Sequence, residues 1–422
     1  MKALSEVNIK SLYSAHCANM ETYIMFRIAQ RVVELTPSLT AKSRAPIKMS
    51  IGAPTVAPPE LLIERFTEYL KEPGIHSYSV PEGEKYFRDA VAERMKTRFG
   101  VTVDPKNEVC SLLGSKEGLA HLFHGIITPQ SGPFDKEIIL TPDPGYASYV
   151  DAIKVCGGLS YPTPLTRDNH YMPDFSKIMK ELTNQGYNPN HVKALIINYP
   201  SNPIGAMAPF SYFKDVVAFA KEHNILLISD IAYADLQFSG EEPPHSILEV
   251  PGAKEIAIEF HSLSKPYAIT GWRIGFAVGN AAAVDILNKV KSTVDSGLFK
   301  AMQKAAAFAL TSPVCDQFIK DTVKIYEANQ ARMLRGFQSL GWPAEALQAP
   351  RATFYLWLPI PPRYSSCVKF ADELLETSGI VTVPGTAFGK TGEGYVRLSL
   401  VNPVAELDAV IERMQADGFT YH

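Results

Sequence analysis

The sequence predicts an α/β protein with a mostly parallel sheet sandwiched by helices and a smaller α+β domain. Between about residues 85 and 300, short and continuously apolar runs alternate with helix-like segments. Continuous apolar runs are typical of strands covered on both faces, and this alternation is that of parallel βαβ units. After about residue 312 the pattern changes to one long polar helix and two strand-like runs. The change indicates a second, smaller domain.

The N-terminal part combines a helix with an extended segment. Residues 20–35, METYIMFRIAQRVVEL, have helical periodicity, and proline and glycine punctuate the SIGAPTVAPPE that follows at residues 50–60. The apolar positions of the helix are Ile24, Phe26, Ile28, Val32 and Leu35. This stripe predicts a packed helix face and not a membrane anchor. We expect a large domain at residues 56–311 and a small domain at residues 1–55 and 312–422.

Apolar runs mark the predicted strands of both domains. In the large domain they are EVCSLLG, EIILTPD, ALIINYP, ILLISD and EIAIEF, with helix-like segments such as KEGLAHLFHGI and FKDVVAFAKEH between them. In the small domain the long helix is DQFIKDTVKIYEANQARMLRGFQSL, and the predicted strands are ATFYLWLP and GYVRLSL.

Length, composition and charge limit the possible partners. The 422 residues exceed the usual size of a single core, and 46% hydrophobic with 20% charged residues give no signature of disorder. A formal net charge of −3, with both signs interspersed, argues against nucleic acid or an anionic membrane as a partner. No run approaches the roughly 18 apolar residues of a membrane span, and the start, MKALSEVNIKSLYSAH, lacks the apolar segment of a secretion signal.

The cysteines are scattered along the chain without a CxxC pair. They are Cys17, Cys110, Cys156, Cys315 and Cys367. An odd number without such a pair indicates reduced thiols and neither a disulfide framework nor a zinc knuckle. We therefore expect a cytoplasmic protein.

Polar residues follow the predicted strands at the points where the strands end. In an open parallel sheet, ligands bind beyond the carboxyl ends of the strands, so these residues are expected to surround one cleft. They are Gly114 to Lys116, Asp143 to Tyr146, Asn198 with Asn202, Asp230 with Tyr233, and His261 to Lys265. The set contains a lysine, a carboxylate, a phenol and an amide, and it resembles neither a metal cage nor a Ser-His-Asp triad.

Several of these stretches resemble the motifs of one enzyme family. HSLSKPYAITGWRIGF, at residues 261–276, is similar to the cofactor attachment motif of class I/II aminotransferases. YPSNPIG, ISDIAYADL, VPGTAFG and GYVRLS match further motifs in the family's order, so the resemblance spans nearly the whole chain. It implies a pyridoxal 5′-phosphate (PLP) enzyme of fold type I that moves an amino group between an α-amino acid and a 2-oxo acid.

The resemblance assigns the central chemistry to Lys265 and Asp230. Lys265 matches the lysine that forms a Schiff base with PLP and afterwards shuttles a proton. Asp230, at the end of ILLISD, matches the carboxylate that keeps the pyridine nitrogen protonated. Taken alone, Lys265 would be interpreted as a surface lysine and Asp230 as a turn or helix cap. The combination of motifs favours the catalytic interpretation.

Other matching positions surround the cofactor ring. Asn202 and Tyr233 match the pair of donors to the phenolic oxygen, although Ile204 replaces a threonine that is frequent in the family. We expect this difference to change loop packing and not chemistry. Tyr146 matches the aromatic residue stacked on the pyridine ring, while a tyrosine in DPGYASY is equally compatible with a core position.

The phosphate site implied by the resemblance combines a helix N-terminus with side-chain donors. A helix beginning in GSKEG would direct its N–H groups at the phosphate, and without a ligand the same residues would form an ordinary capped helix. The matching side chains are Ser115, Lys116, Ser262, Ser264 and Arg273. Tyr78, in HSYSVPEG, resembles a tyrosine that reaches the phosphate of the neighbouring subunit. The resemblance therefore implies a homodimer with shared active sites.

The substrate side is represented by two matches. Arg397, in GYVRLSL, matches the arginine that grips the α-carboxylate as a bidentate fork, and Gly52, in SIGAPT, matches a glycine that lines the same pocket. Dicarboxylate-specific relatives add a second arginine from the partner subunit. STVDSGLFKAMQ, the corresponding stretch, offers only Lys300 as a basic residue. Aspartate specificity by that arrangement is therefore not expected.

The overall pattern resembles the branch that contains LL-diaminopimelate, alanine and broad-range aspartate aminotransferases. LL-diaminopimelate with 2-oxoglutarate is the predicted substrate pair, with Glu82, Asp295 and Lys116 as candidates for binding its distal end. Alternatives are an alanine or broad-range aspartate aminotransferase, or a PLP-dependent C–S β-lyase. A PLP-binding transcription regulator is disfavoured because the N-terminus shows no basic helix-turn-helix.

A histidine pair in the predicted helix KEGLAHLFHGI was also considered as a metal site. His121 and His124 share a helix face, but no third ligand is evident in the sequence. We expect both to be packing residues and expect no metal.

Overall fold

A computed structural model describes residues 12, 13, 18, 20, 24–130, 132 and 134–422. Cys17 and most of the N-terminal segment that was searched for a secretion signal lie outside the described residues. The other four cysteines are buried and unpaired. None of the described helices is both long and apolar enough to cross a bilayer.

A seven-stranded sheet forms the centre of the molecule. Its strands are β2 (Val109–Leu112), β3 (Ile138–Asp143), β4 (Leu159–Pro164), β5 (Val192–Ile197), β6 (Leu226–Asp230), β7 (Ala257–Ser262) and β8 (Gly275–Gly279). They are arranged in the order β2-β8-β7-β6-β5-β3-β4. Neighbours from β7 through β4 are parallel, whereas β8 is antiparallel to both β7 and β2. The prediction of a mostly parallel sheet is confirmed.

Helices cover both faces of this sheet. They are α2 (Glu60–Tyr69), α3 (Lys85–Phe99), α4 (Ser115–Ile126), α5 (Ser148–Val155), α6 (Phe175–Asn184), α7 (Phe210–Glu222), α8 (Ala281–Val294) and α9 (Lys300–Thr311). Buried side chains of α4, α5 and α8 pack on one face together with alternate residues of β3, β5, β6 and β7. The other face carries α3, α6, α7 and α9 within the largest apolar cluster. Burial on both faces explains why these strands are apolar throughout.

Two smaller sheets lie outside the central one. A three-stranded antiparallel sheet has the order β11 (Val383–Pro384), β12 (Tyr395–Ser399) and β9 (Tyr355–Pro359). The second pairs β1 (Ile47–Lys48) with β10 (Ile380–Val381) in parallel. The accompanying helices are α10 (Pro313–Ser339), α11 (Cys367–Glu373) and α12 (Val404–Ala416). The N-terminal strand therefore joins C-terminal elements, while the domain boundaries given above stay a prediction.

The first described helix, α1 (Ile24–Ala41), packs against the C-terminal part of the chain. Val32 and Leu39 are buried with residues near β10, and Ile28 and Leu35 pack on the same cluster. Phe26 is 65% exposed, so its inclusion in the predicted stripe was wrong. It lies two residues from Ile28, and this spacing places it about 200° round a helix of 3.6 residues per turn.

Candidate active site

A cavity of about 300 Å³ opens at the carboxyl ends of the parallel strands. It is bordered by every predicted site residue except Tyr78: Gly52, Ser115, Lys116, Tyr146, Asn202, Asp230, Tyr233, Ser262, Ser264, Lys265, Arg273 and Arg397. This is the position that the topology of an open parallel sheet favours for a ligand. The structure thus brings together residues that are scattered from position 52 to position 397.

Lys265 follows β7 and lies deep in the cavity. Its Nζ donates to the carbonyl oxygen of Gly52 at 2.5 Å. Burial, together with the cations of Arg397 and Arg273, lowers the pKa of Lys265 to about 8 against the opposing effect of Asp230. The neutral amine, which is the form that attacks a carbonyl carbon, is therefore more accessible than in an ordinary lysine.

Asp230 ends β6 and is held by a tyrosine hydroxyl. Its Oδ2 accepts from the hydroxyl of Tyr149 at 2.6 Å, and its Oδ1 accepts from the backbone N–H of Ala232 at 3.3 Å. Burial raises the pKa of Asp230, while these two hydrogen bonds act in the opposite direction. A cationic group placed opposite the carboxylate would lower that pKa again.

A cradle for an anion lies beside the N-terminus of α4. Gly114, which precedes the helix, has a φ of +83°, and a Cβ added there would lie 2.7 Å from Nη2 of Arg273. Arg273 itself has a positive φ of 53°, a conformation that is strained for a side chain of this size. The Oγ of Ser264 is buried and has no hydrogen-bond partner among the described residues. Ser264 and Arg273 thus carry hydrogen-bond donors at the cavity beside a helix N-terminus, a combination that suits an anionic ligand.

Arg397 is fixed between two aromatic rings and an amide. Its guanidinium carbon lies 4.1 Å from the ring centroid of Tyr355 and 4.7 Å from that of Phe388. Nη1 donates to Oδ1 of Asn202 at 2.9 Å, while Nε has no partner among the described residues. The planar cation is thus stacked and oriented, with donor capacity left for a carboxylate.

Two loops that carry cavity residues are tied together by Asp143. Its Oδ1 accepts from both the backbone N–H and the hydroxyl of Thr391, at 3.1 and 2.7 Å. Near it, the N–H of Gly145 donates to the carbonyl oxygen of Phe388 at 2.8 Å. Tyr146 and Phe388, which both line the cavity, are therefore held by connected backbone segments.

The structure adds residues to the cavity that the sequence did not single out. Tyr149 and Tyr355 are buried tyrosines whose hydroxyls bind the side chains of Asp230 and Tyr233. Phe388 and the N-terminal residues of α1, Ile24 and Met25, contribute apolar walls. Tyr149 lies in α5, three residues after Tyr146. This spacing was the sequence signal that could have identified it. Phe388 lies in the VPGTAFG motif, whereas Tyr355, Ile24 and Met25 come from other parts of the chain without a site motif.

Candidates for the distal end of a substrate are distributed differently. Lys116 borders the cavity, and burial lowers its pKa. Asp295 is engaged by Lys291, whose Nζ lies 2.7 Å from its Oδ2. Neither Asp295 nor Glu82 is part of the cavity lining in this chain. Tyr78 also lies outside the lining and is 89% exposed.

The histidine pair needs correction. His121 does have acidic neighbours, because ligand atoms of Glu117, His121 and Asp295 lie within 4.8 Å of one another. Lys291 places its ammonium between the carboxylates, 3.0 Å from Glu117 and 2.7 Å from Asp295, where a metal would otherwise sit. His124 is exposed and contacts the carbonyl oxygen of Ala120 within its own helix, so it is not a packing residue.

The fold and the cavity together define a transferase of fold type I: a mostly parallel sheet whose strand ends carry a half-buried lysine, a buried aspartate and an anion cradle. A family model described as aminotransferase class I and II matches residues 44–414. The chain belongs to this family and is an aminotransferase, as the motifs predicted.

Relatives with assigned names cover nearly the whole chain. LL-diaminopimelate aminotransferase of Desulforudis audaxviator (strain MP104C) is 40% identical over 397 residues, which are 94% of this chain and 95% of that relative. LL-diaminopimelate aminotransferase 2 of Trichormus variabilis is 41% identical over 376 residues, which are 89% of this chain and 92% of that relative.

Solved structures show the same architecture. Substrate-bound BacF from Bacillus subtilis has a TM-score of 0.88 at 30% identity and covers 97% of this chain and 98% of its own. An aminotransferase from Staphylococcus aureus has a TM-score of 0.85 at 29% identity and covers 97% of this chain and 100% of its own. The predicted fold class is therefore confirmed.

Proposed function

We propose that this aminotransferase binds PLP at Lys265 and moves the amino group of LL-diaminopimelate to 2-oxoglutarate. The observation that carries the cofactor assignment is the position of Lys265 in a cavity that Asp230, Arg273 and Arg397 also line, all three of which affect its pKa. A lysine of lowered pKa directly after a strand of a parallel sheet is suited to hold an aldehyde.

The residues around the cavity fit the three polar parts of PLP. The unpartnered hydroxyl of Ser264, the cation of Arg273 and the first turn of α4 suit a phosphate. Asp230 suits the ring nitrogen, because a cation beside it would reverse the effect of burial on its pKa. Asn202 and Tyr233 suit the phenolic oxygen.

The protein's own groups would then have distinct tasks. When bound, the cofactor ring withdraws electrons from the substrate carbon that loses its proton. Asp230, held by Tyr149, would keep the ring nitrogen protonated. Lys265 would take the proton from that substrate carbon and deliver it to the cofactor carbon. Arg397 would hold the α-carboxylate so that the carbon stays within reach of Lys265.

The substrate assignment rests on the relatives and on one side chain. Both relatives described above are named for LL-diaminopimelate. Lys116 borders the cavity as a cation for a distal carboxylate, and Ile24 and Met25 form an apolar wall for methylene groups. Cytoplasmic localisation stays a prediction from the cysteine pattern of the sequence.

A donor screen in single turnover tests the substrate. The purified protein is mixed with one amino acid at a time, and conversion of the visible cofactor band to the pyridoxamine form is followed. LL-diaminopimelate is expected to react at least about tenfold faster than alanine or aspartate, since a charged hydrogen bond to the distal carboxylate contributes about 1.5–3 kcal/mol. Equal rates for all three donors would contradict this assignment.

The same preparation separates transfer from elimination. Incubation with cystine and no oxo acid should release no pyruvate, whereas a C–S β-lyase would release pyruvate and ammonia. Pyruvate release at a rate comparable to transamination would favour the lyase alternative.

We also propose a homodimer in which Tyr78 reaches the partner's phosphate site. Tyr78 and Val80 are exposed, as are Val294, at 64%, and Phe299. The two segments that carry these residues are in contact, because a Cβ added at Gly297 would lie 2.3 Å from the Val80 oxygen. Exposed apolar side chains thus occur on both segments near a tyrosine that is not part of its own cavity lining, as expected of an interface.

Mixing two impaired variants tests the shared site. Tyr78→Ala and Lys265→Ala chains are each expected to have low activity, and subunit exchange should restore activity because one site in each hybrid receives both native residues. Free exchange of equal amounts makes about half of the dimers hybrid. The restored rate is measured by transamination after hybrids are verified by mass.

The matched control is a mixture of Lys265→Ala with Asp230→Ala. Both residues come from the same chain, so every site in these hybrids lacks one of them and no activity should return. Verified hybrids of Tyr78→Ala and Lys265→Ala that stay inactive would show that Tyr78 does not serve the partner's site.

A further inference from the structure

Tyr355 lies between the substrate side and the cofactor side of the cavity. It is the first residue of β9 and is buried. Its hydroxyl is 3.0 Å from the hydroxyl of Tyr233, and the guanidinium carbon of Arg397 lies 4.1 Å from the centroid of its ring. One side chain therefore contacts both the predicted donor to the cofactor and the predicted carboxylate fork.

The surroundings fix Tyr355 in this position. In the pairing of β9 with β12, Arg397 lies opposite Trp357, so Tyr355 is its diagonal neighbour on the adjacent strand. A Cβ added at Gly52 would lie 3.1 Å from the Tyr355 hydroxyl. The absence of a side chain at Gly52 leaves the space that the phenol occupies. Room for this hydroxyl is a second reason, besides the substrate pocket, for a glycine at this position.

When Tyr233 donates its proton to a ligand, the hydrogen bond between the two phenols can run only from Tyr355 to Tyr233. Each phenol has one proton to donate. If Tyr233 donates into the cavity, its oxygen is left to accept, and Tyr355 is the donor beside it. A hydroxyl that accepts a hydrogen bond becomes a stronger donor, and the Arg397 cation over the ring of Tyr355 strengthens the first bond of this chain.

We propose that Tyr355 is a positioning residue that sets the donor strength of Tyr233 and thereby tunes the protonation of the Lys265 nitrogen. This role rests on the proposed function, because Tyr233 donates to the phenolic oxygen only if the cofactor is held at Lys265. Weaker donation leaves more negative charge on that oxygen, next to the lysine nitrogen. The nitrogen then keeps its proton to higher pH.

The other groups that face Lys265 do not change in the variant that tests this role. The charged groups are Asp230 at the end of β6, Arg273 after β7 and Arg397 on β12. Tyr355→Phe retains all three charges and keeps the ring under the guanidinium. It removes only the hydroxyl, so a change in protonation would report on the bond to Tyr233.

The test is a pH titration of the visible absorbance band of the cofactor-loaded protein. Tyr355→Phe is expected to raise the midpoint by roughly 0.2–0.6 pH units, since cooperative strengthening is about 10–30% per bond. Tyr233→Phe should raise it further, because the donor itself is lost. In the Tyr233→Phe background, the additional change Tyr355→Phe is expected to leave the midpoint where it is.

Tyr326→Phe is the matched control. Tyr326 is a buried tyrosine whose ring packs on Phe354. Its hydroxyl has no partner among the described residues. Its removal should not move the midpoint, and thermal unfolding shows whether the Tyr355→Phe variant is as well folded as the control.

Three results would overturn the inference, and they differ in what they say about the site. An unmoved midpoint in Tyr355→Phe, with a normal band in the unmodified protein, contradicts the role of Tyr355 alone. If Tyr355→Phe shifts the midpoint equally in the presence and in the absence of the Tyr233 hydroxyl, Tyr355 does not act through Tyr233. Absence of the visible band from the unmodified protein contradicts the proposed cofactor site together with this inference.

Discussion

Replacing Lys265 by alanine is expected to abolish turnover while leaving the fold intact. Lys265 lies in the cavity with a lowered pKa, and among the described residues its Nζ donates a hydrogen bond to the carbonyl oxygen of Gly52. Proton transfer by a positioned side chain contributes about 10²–10⁴-fold to a rate, and loss of the nucleophile adds to this. We expect kcat to fall by at least about 10⁴-fold, as measured by transamination under saturating donor and acceptor.

Borohydride reduction gives an independent readout of the same residue. Reduction of the cofactor-loaded protein should fix the cofactor onto the peptide that contains Lys265, and peptide mapping identifies the site. Lys221→Ala is a suitable control because this lysine forms an exposed ion pair with Glu255. The pair lies away from the carboxyl ends of the strands, where the cavity opens. An adduct on any lysine other than Lys265 would remove it from the catalytic role.

Arg397→Lys is expected to weaken every amino-acid donor while the cofactor stays bound. The guanidinium is stacked between Tyr355 and Phe388 and anchored to Asn202, and a lysine can reproduce neither the stacking nor the bidentate geometry. A hydrogen bond to a charged group is worth about 1.5–3 kcal/mol, so KM should rise roughly 10- to 150-fold. Steady-state kinetics measure KM, and the visible band measures cofactor content.

Arg351→Lys provides the comparison for this change. Arg351 pairs with Glu241 outside the cavity, at partly exposed side chains, so the same substitution there should leave KM unaltered. A KM for Arg397→Lys that equals that of the unmodified protein with all donors would mean that the α-carboxylate binds elsewhere.

Much of the central sheet was predictable because its strands are buried on both faces. The five predicted apolar runs all overlap strands of the sheet. β4 was missed, since it is an edge strand with two prolines and only partly buried side chains. β8 was missed because its five residues, GFAVG, include two glycines and begin inside the motif at residues 261–276. Local composition cannot identify strands whose stability comes from their neighbours.

The cavity residues also fall into two groups, those that sequence motifs identify and those that only the folded structure reveals. Residues within motifs, such as Asp230 and Lys265, were identified from short stretches. Tyr149 and Tyr355 were not, since their roles come from hydroxyl groups that meet Asp230 and Tyr233 across 81 and 122 positions of sequence. A hydrogen bond between distant segments leaves no periodicity in the chain, so only the folded structure reveals it.

The pairing of β1 with β10 has a consequence for the order in which the site is assembled during folding. Ile47 lies beside Ile380, so closing this contact spans most of the polypeptide and carries a large loop-closure cost. Apart from Tyr78, the residues that we propose for cofactor binding come from the interior of the chain, between Ser115 and Arg273. Gly52 and Arg397 meet only after both ends of the chain have docked. We expect a folding intermediate, or a chain shortened before β10, to retain the contacts for the cofactor and to lack the grip on the substrate carboxylate. High contact order is thus concentrated in the part of the site that recognises substrates.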